Sequence, residues 1–237
     1  MPGFAPNAET SKERQIPRVA LFGDRPKQAR LFGLREGFRL RLGLLADIHE
    51  AVEPLAAAIR ELSARRVDAF VMLGDVLDRG ERVDETVALL SALPGVGVWG
   101  NHDLGLCGEV HPSVRDKFSG PTLDYFAQLR PSVILEGNRF QHIDPHLDPE
   151  QLEDLWRFPT TAERIAGLAN CSHARVFVGH LHGWGIFTPE RQMPWDGECA
   201  FRYQVNERYL TVVHAVLHRW CAVFDSDCDM LEPIRVA

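Results

Sequence analysis

In the first half of this chain, each of three apolar runs breaks off at a side chain that carries oxygen. Leu40 to Ala46 stops at Asp47, Val67 to Leu73 leads through Gly74 to Asp75, and Val96 to Trp99 leads through Gly100 to Asn101. Between the first two runs, Val52, Leu55, Ile59 and Leu62 recur at helical spacing. Val83 to Leu93 repeats that pattern before the turn signal Pro94-Gly95. Strand, helix, strand, helix, strand in this order predicts parallel pairing. The loops leaving parallel strands converge on one sheet edge, where α/β proteins bind ligands.

The second half reads as more antiparallel. Ser132 to Leu135 and Arg139 to Ile143 flank Glu136-Gly137-Asn138, a hairpin pattern that delivers His142 to a strand end. Thr160 with Glu163 forms a capping-box signature for a helix running toward Ala169. Arg175 to Val178 predicts a short strand followed by Gly179-His180-Leu181-His182, and Tyr209 to Val213 and Trp220 to Phe224 predict two late strands. Residues 1–37 and 186–206 are the least regular. They are expected to be an N-terminal extension, packed on the core or bridging to a partner, and a surface loop. Arg18 to Phe22 could add an edge strand to the extension. Residues 38–237 are expected to form one α/β domain, a two-layered β-sheet sandwich flanked by helices.

Of the 237 residues, 45% are hydrophobic, enough for one substantial core. A net charge of -7 argues against general nucleic-acid binding, which needs clustered Lys and Arg. No apolar run reaches the roughly 20 residues of a membrane span, and the amino terminus lacks a signal-peptide layout. The five cysteines show no Cys-x-x-Cys spacing, so reduced thiols and a cytoplasmic location are expected.

The side chains at the strand ends mix carboxylate, imidazole and amide oxygen without cysteine, a donor set suited to two divalent ions such as manganese, iron or zinc. Taken singly, an aspartate after a strand is as readily a helix cap or turn former. Taken together, Asp47-Ile48-His49, Gly74-Asp75-Val76-Leu77-Asp78-Arg79-Gly80, Gly100-Asn101-His102-Asp103, His142 and Gly179-His180-Leu181-His182 resemble the ordered motifs of the calcineurin-like metallophosphoesterases. The stretch from Gly74 to Asp103 is most similar to the protein serine/threonine phosphatases and their bacterial relatives.

That resemblance implies the metallo-dependent phosphatase fold. It also implies that Asp47, His49 and His182 bind one metal, that Asn101, His142 and His180 bind the other, and that Asp75 bridges them. The implied activity is phosphoester hydrolysis by a hydroxide held between the ions. His102 would be the general acid, held by Asp78, and Arg79 the guanidinium facing the phosphoryl group. For Asp78 and Arg79 a surface ion pair is the plain alternative. His146 competes with His142 as the mid-chain ligand, because Ile143 stands where relatives commonly carry glycine. Glu50-Ala51 replaces another frequent pair, Gly-Asn, without removing an expected ligand. Trp184, Phe187, Trp195 and Phe201 either stack on a nucleobase or, the favoured expectation, anchor their loop. The function expected is a phosphomonoesterase acting on small phosphate esters or phosphoproteins. The alternatives are a phosphodiesterase or dinucleoside polyphosphate hydrolase, and a non-catalytic scaffold of the same fold.

Overall fold

The computed structural model describes residues 40–237, and the expected extension with its edge strand at 18–22 lies outside them. Strand β1 (Arg41–Leu45), helix α1 (Val52–Ala64), β2 (Ala69–Leu73), α2 (Val83–Ser91) and β3 (Gly95–Val98) follow the expected order. Helix α3 (Gly120–Phe126) leads to the hairpin of β4 (Ser132–Leu135) and β5 (Asn138–Gln141), after which His142 emerges. Helix α4 (Thr161–Ala169) opens on the capping box, with the Thr160 side chain accepting from the Glu163 N–H and the Glu163 carboxylate accepting from the Thr160 N–H. The chain closes with β6 (Arg175–Val178), β7 (Gly185–Phe187), β8 (Phe201–Arg202), β9 (Tyr209–Val212), β10 (Trp220–Asp225) and β11 (Met230–Arg235).

Two mixed sheets result, in the orders β3-β2-β1-β10-β11-β8 and β4-β5-β6-β9-β7. They meet through aromatic rings: Phe177 of β6 lies 4.7 Å from Phe224 of β10 and stacks on Phe140 of β5 at 5.1 Å. On the outer face of the first sheet, α1 buries Leu55, Ala58 and Leu62, and α2 buries Val83, Val87 and Leu90. This is the expected two-layered sandwich flanked by helices.

The second sheet departs from the antiparallel expectation at its centre, where β5-β6 and β6-β9 are parallel. The reason is α4, which lies between β5 and β6 and permits the crossover that a parallel pair needs. Residues 186–206 are not a simple surface loop either. Ile186, Phe187 and Tyr203 are buried, and β7 and β8, three and two residues long, are too short to show periodicity in sequence. Trp184 packs edge-on against Trp195 and Trp220, and Trp195 against Phe201, so these aromatics anchor the segment as favoured. Among the described residues no helix is long and apolar enough to cross a membrane.

Candidate metal centre

The strand ends carry the site in strained backbone. Asp47 and His49 after β1, Asp75 after β2, and His180 and His182 after β6 all have positive φ, between 46° and 71°. For residues other than glycine such conformations are costly and persist only where surrounding bonds enforce them. Here the loops enforce one another. The Ile48 and His49 N–H groups donate to the Asp75 carbonyl at 2.8 and 2.9 Å, and the His180 N–H donates to the Asp47 carboxylate at 2.9 Å. Glycine is required at two contacts: a Cβ on Gly100 would fall 2.1 Å from Asp75 Oδ1, and one on Gly74 would fall 2.5 Å from His142 Nδ1.

Seven of the predicted residues converge. Donor atoms of Asp47, His49, Asp75 and His182 lie within 4.8 Å of one another, and so do those of Asp75, His142 and His180. Asp75 belongs to both groups. Asn101 Oδ1 lies 3.0 Å from both His142 Nε2 and His180 Nδ1. The competing His146 is exposed and rests on Gly167 of α4, whereas His142 is fully buried.

The outer nitrogens fix which way each imidazole faces. His142 Nδ1 meets the Leu73 carbonyl at 2.7 Å and His180 Nε2 meets the Arg157 carbonyl at 3.1 Å, so each donates outward and turns a lone pair inward when neutral. The His180 lone pair faces the Asn101 oxygen, and His142 Nε2, 3.4 Å from Asp75 Oδ2, offers one once its proton is lost. On the other side His49 Nε2 faces His182 Nε2 at 3.1 Å. Oxygen and nitrogen atoms gathered in this way suit a cation among them, and the donor set fits divalent metal once His142 is neutral.

The electrostatics agree. Burial pushes the Asp47 carboxyl up to about 7, with the Asp75 charge adding to the rise and His142 opposing it. Burial also acts to raise Asp75, but His142 and the His102 N–H hold it well below the usual carboxylate range. His142 would be lowered by burial, yet the carboxylates of Asp75 and Asp47 carry it up to about 9. His180 and His182 are both lowered to about 4, chiefly by burial and then by neighbouring imidazoles, and are neutral at physiological pH.

His102 stands at the rim, its ring 4.7 Å from that of His49, and it forms a third close group with His49 and Asp78. Arg79 is not drawn into the cluster. Its side chain is 79% exposed and its Nε lies 3.9 Å from the Asp78 carboxylate, the plain ion pair that sequence left open.

Two supporting residues were not assigned roles from sequence. The fully buried Asp103 accepts N–H bonds from Val76, Leu77 and Gly100, tying the Asp75 loop to the Asn101 loop. Glu50 accepts from the N–H groups of Asp78, Gly80 and Arg82 at 2.9, 2.6 and 2.8 Å, so it cradles the loop that presents Asp78 and Arg79. The signal for Glu50 was its departure from Gly-Asn. Asp103 was visible as the last residue of its motif. His218, outside every motif, packs edge-on against His182 at 5.5 Å.

Comparison with known proteins agrees with this geometry. A profile of the calcineurin-like phosphoesterases matches residues 40–184, over half of the chain and all ten of the candidate catalytic and metal residues. A relative from Methanocaldococcus jannaschii, described as uncharacterized protein MJ0912, is 26% identical over 157 residues, 60% of this chain and 62% of that protein. The chain therefore spans less than two thirds of that relative's length. A metallophosphoesterase from Sphaerobacter thermophilus superposes with a TM-score of 0.70 at 22% identity, covering 84% of this chain and 89% of its own. An archaeal phosphodiesterase superposes at 0.50 with 13% identity, over 83% of this chain and 100% of its own. With its motifs drawn into one cluster at the strand ends, this chain belongs to the calcineurin-like phosphoesterase family.

Proposed function

We propose that the protein is a phosphoester hydrolase dependent on two divalent metal ions, and that its preferred substrates are phosphomonoesters of small molecules or phosphoproteins. Asp47, His49, His182 and the shared Asp75 would hold one ion, and Asn101, His142, His180 and Asp75 the other. Manganese, iron and zinc all suit these donors. When bound, the ions supply an activated water and draw charge from the phosphoryl oxygens. A cytoplasmic location belongs to the same proposal and fits the five free cysteines.

The observation that carries the monoester reading is the close group of His102, Asp78 and His49 at the rim. Asp78 orients the His102 ring, and His102 hands its proton to the departing alkoxide. Arg79 has the freedom to turn toward the phosphoryl group, since an exposed ion pair holds it weakly. A diesterase or dinucleoside polyphosphate hydrolase is the second reading. It draws support from the archaeal phosphodiesterase of the same fold.

The test is hydrolysis of an aryl phosphate monoester against the matching diester by chelator-stripped protein reloaded with manganese, with Asp75→Asn as the blank. A monoester preference that disappears in the blank is expected, and a diester preference would transfer the assignment to the second reading. His102→Asn should lower kcat by roughly a hundredfold or more while metal content stays at the wild-type level. Metal lost in proportion to activity would make His102 a ligand instead.

A further inference from the structure

The segment between β5 and α4 carries two large aromatic rings to the mouth of the metal centre and leaves both open to solvent. Trp156 is 51% exposed and lies 5.5 Å from the His102 ring. Phe158 is 65% exposed and stacks on the His180 ring at 4.5 Å, only 21° from parallel. The strip that bears them is held on both sides. Leu155 before it is fully buried, the Arg157 carbonyl accepts from His180 Nε2, and the Arg157 guanidinium pairs with Asp154 and Glu163. Thr160 then caps α4. The backbone bearing these rings is thus held, with Phe158 stacked on a centre imidazole, Trp156 tilted at 45° to the rim imidazole of His102, and both rings open to solvent.

The position of Trp156 assigns it a side of the substrate. The reading of His102 as proton donor places the leaving oxygen beside that ring, so whatever the oxygen is attached to extends from His102 toward its neighbour Trp156. We propose that Trp156, with Phe158 beside the adjoining ligand, forms a stacking platform for the leaving group, and that the substrates are phosphate esters whose alcohol carries a flat aromatic system such as a nucleobase. Aromatic faces accept any base, because every base has a π-face. The 5.5 Å between the two rings sets a further condition. In an aryl ester the oxygen sits on the ring itself, whereas a ring stacked on Trp156 must be set off from the oxygen at His102 by a spacer. A nucleoside has that spacer in its sugar. Trp184, Phe187, Trp195 and Phe201, the aromatics that sequence offered for this role, are spent on packing.

This inference rests on the proposed role of His102, and the experiment separates the two. Adenosine 5′-monophosphate and ribose 5-phosphate share one leaving alkoxide and differ in the base. The ratio of their kcat/KM values therefore reads the platform, and it cancels differences in metal loading or folded fraction between preparations. With the manganese-loaded protein the ratio should be roughly ten or more. It should fall toward one in Trp156→Ala and be largely kept in Trp156→Phe. A wild-type ratio near one, or a ratio that survives in Trp156→Ala, overturns the platform. Binding of the same two compounds to the manganese-loaded protein, measured by calorimetry, decides the matter if neither is hydrolysed. Tighter binding of the nucleotide that is lost in Trp156→Ala keeps the platform and removes the monoesterase reading. Equal binding of the two removes the platform.

Discussion

Glu50 shows how much of the centre depends on a side chain that touches neither ion nor substrate in the proposed scheme. Its carboxylate receives three N–H groups from the loop of Asp78 and Arg79. Removing it leaves those donors to find other partners, at about 1–3 kcal/mol where none is found. Glu50→Ala should therefore lower both stability and turnover, and Glu50→Gln, which keeps an acceptor, should recover part of each. Urea denaturation alongside kcat checks this, and an unchanged kcat would deny the loop any part in turnover. The titrating groups make a separate prediction. His142 is carried to about 9 by its carboxylate neighbours, so the metal-free protein holds that proton at pH 7 and must shed it to use Nε2 as a ligand. Asp47, pushed to about 7, contributes part of another. Metal loading should release about one proton or more at pH 7, and apparent affinity should climb with pH up to about 9. Calorimetry in buffers of different ionisation enthalpy measures the release, and binding without it would contradict the assignment.

At the scale of the elements, the centre depends on how closely two loops approach. Gly100 lies against Asp75, and a methyl group there would meet Oδ1 at 2.1 Å and the backbone N at 2.6 Å. Gly100→Ala should push the shared carboxylate out of place and reduce metal content well below the wild-type level by elemental analysis, with the fold kept by circular dichroism. Full metal content would mean the loops yield more easily than the contact suggests. The strands and helices from Arg41 to Val98 were legible because buried runs alternate with clear helical spacing, and they brought their end residues with them. Helix α4 was legible from its cap. By contrast β7, β8 and β11 pair through backbone hydrogen bonds over stretches without periodicity, one of them with Pro233 inside it. The ligand types were readable because metal chemistry restricts them. Glu50, His218, Trp156 and Phe158 were not, because a cradle, an edge contact and an open ring acquire meaning only from neighbours distant in sequence.

Across the whole molecule, the centre lies where the two sheets meet. Asp47, His49, Asp75 and Asn101 leave the first sheet, and His142, His180 and His182 leave the second. An ion held by both groups ties one sheet to the other and stabilises only the folded chain. Stripping the metal should lower the melting temperature by roughly 5–10 °C for each ion present near a hundred times its Kd. Scanning calorimetry with and without chelator would show it, and coincident transitions would mean that the sheets hold together without the ions. The order of the first sheet also bears on how the molecule is made. β1 pairs on one side with β2, close in the chain, and on the other with β10, far along it. On the ribosome, β1 therefore waits with one edge unpaired until residues 220–225 have emerged, and an edge left open in this way invites wrong partners. His180 and His182 also follow β6, so an ion that met the nascent chain before then would find half a cage, and metal capture would wait for the second sheet.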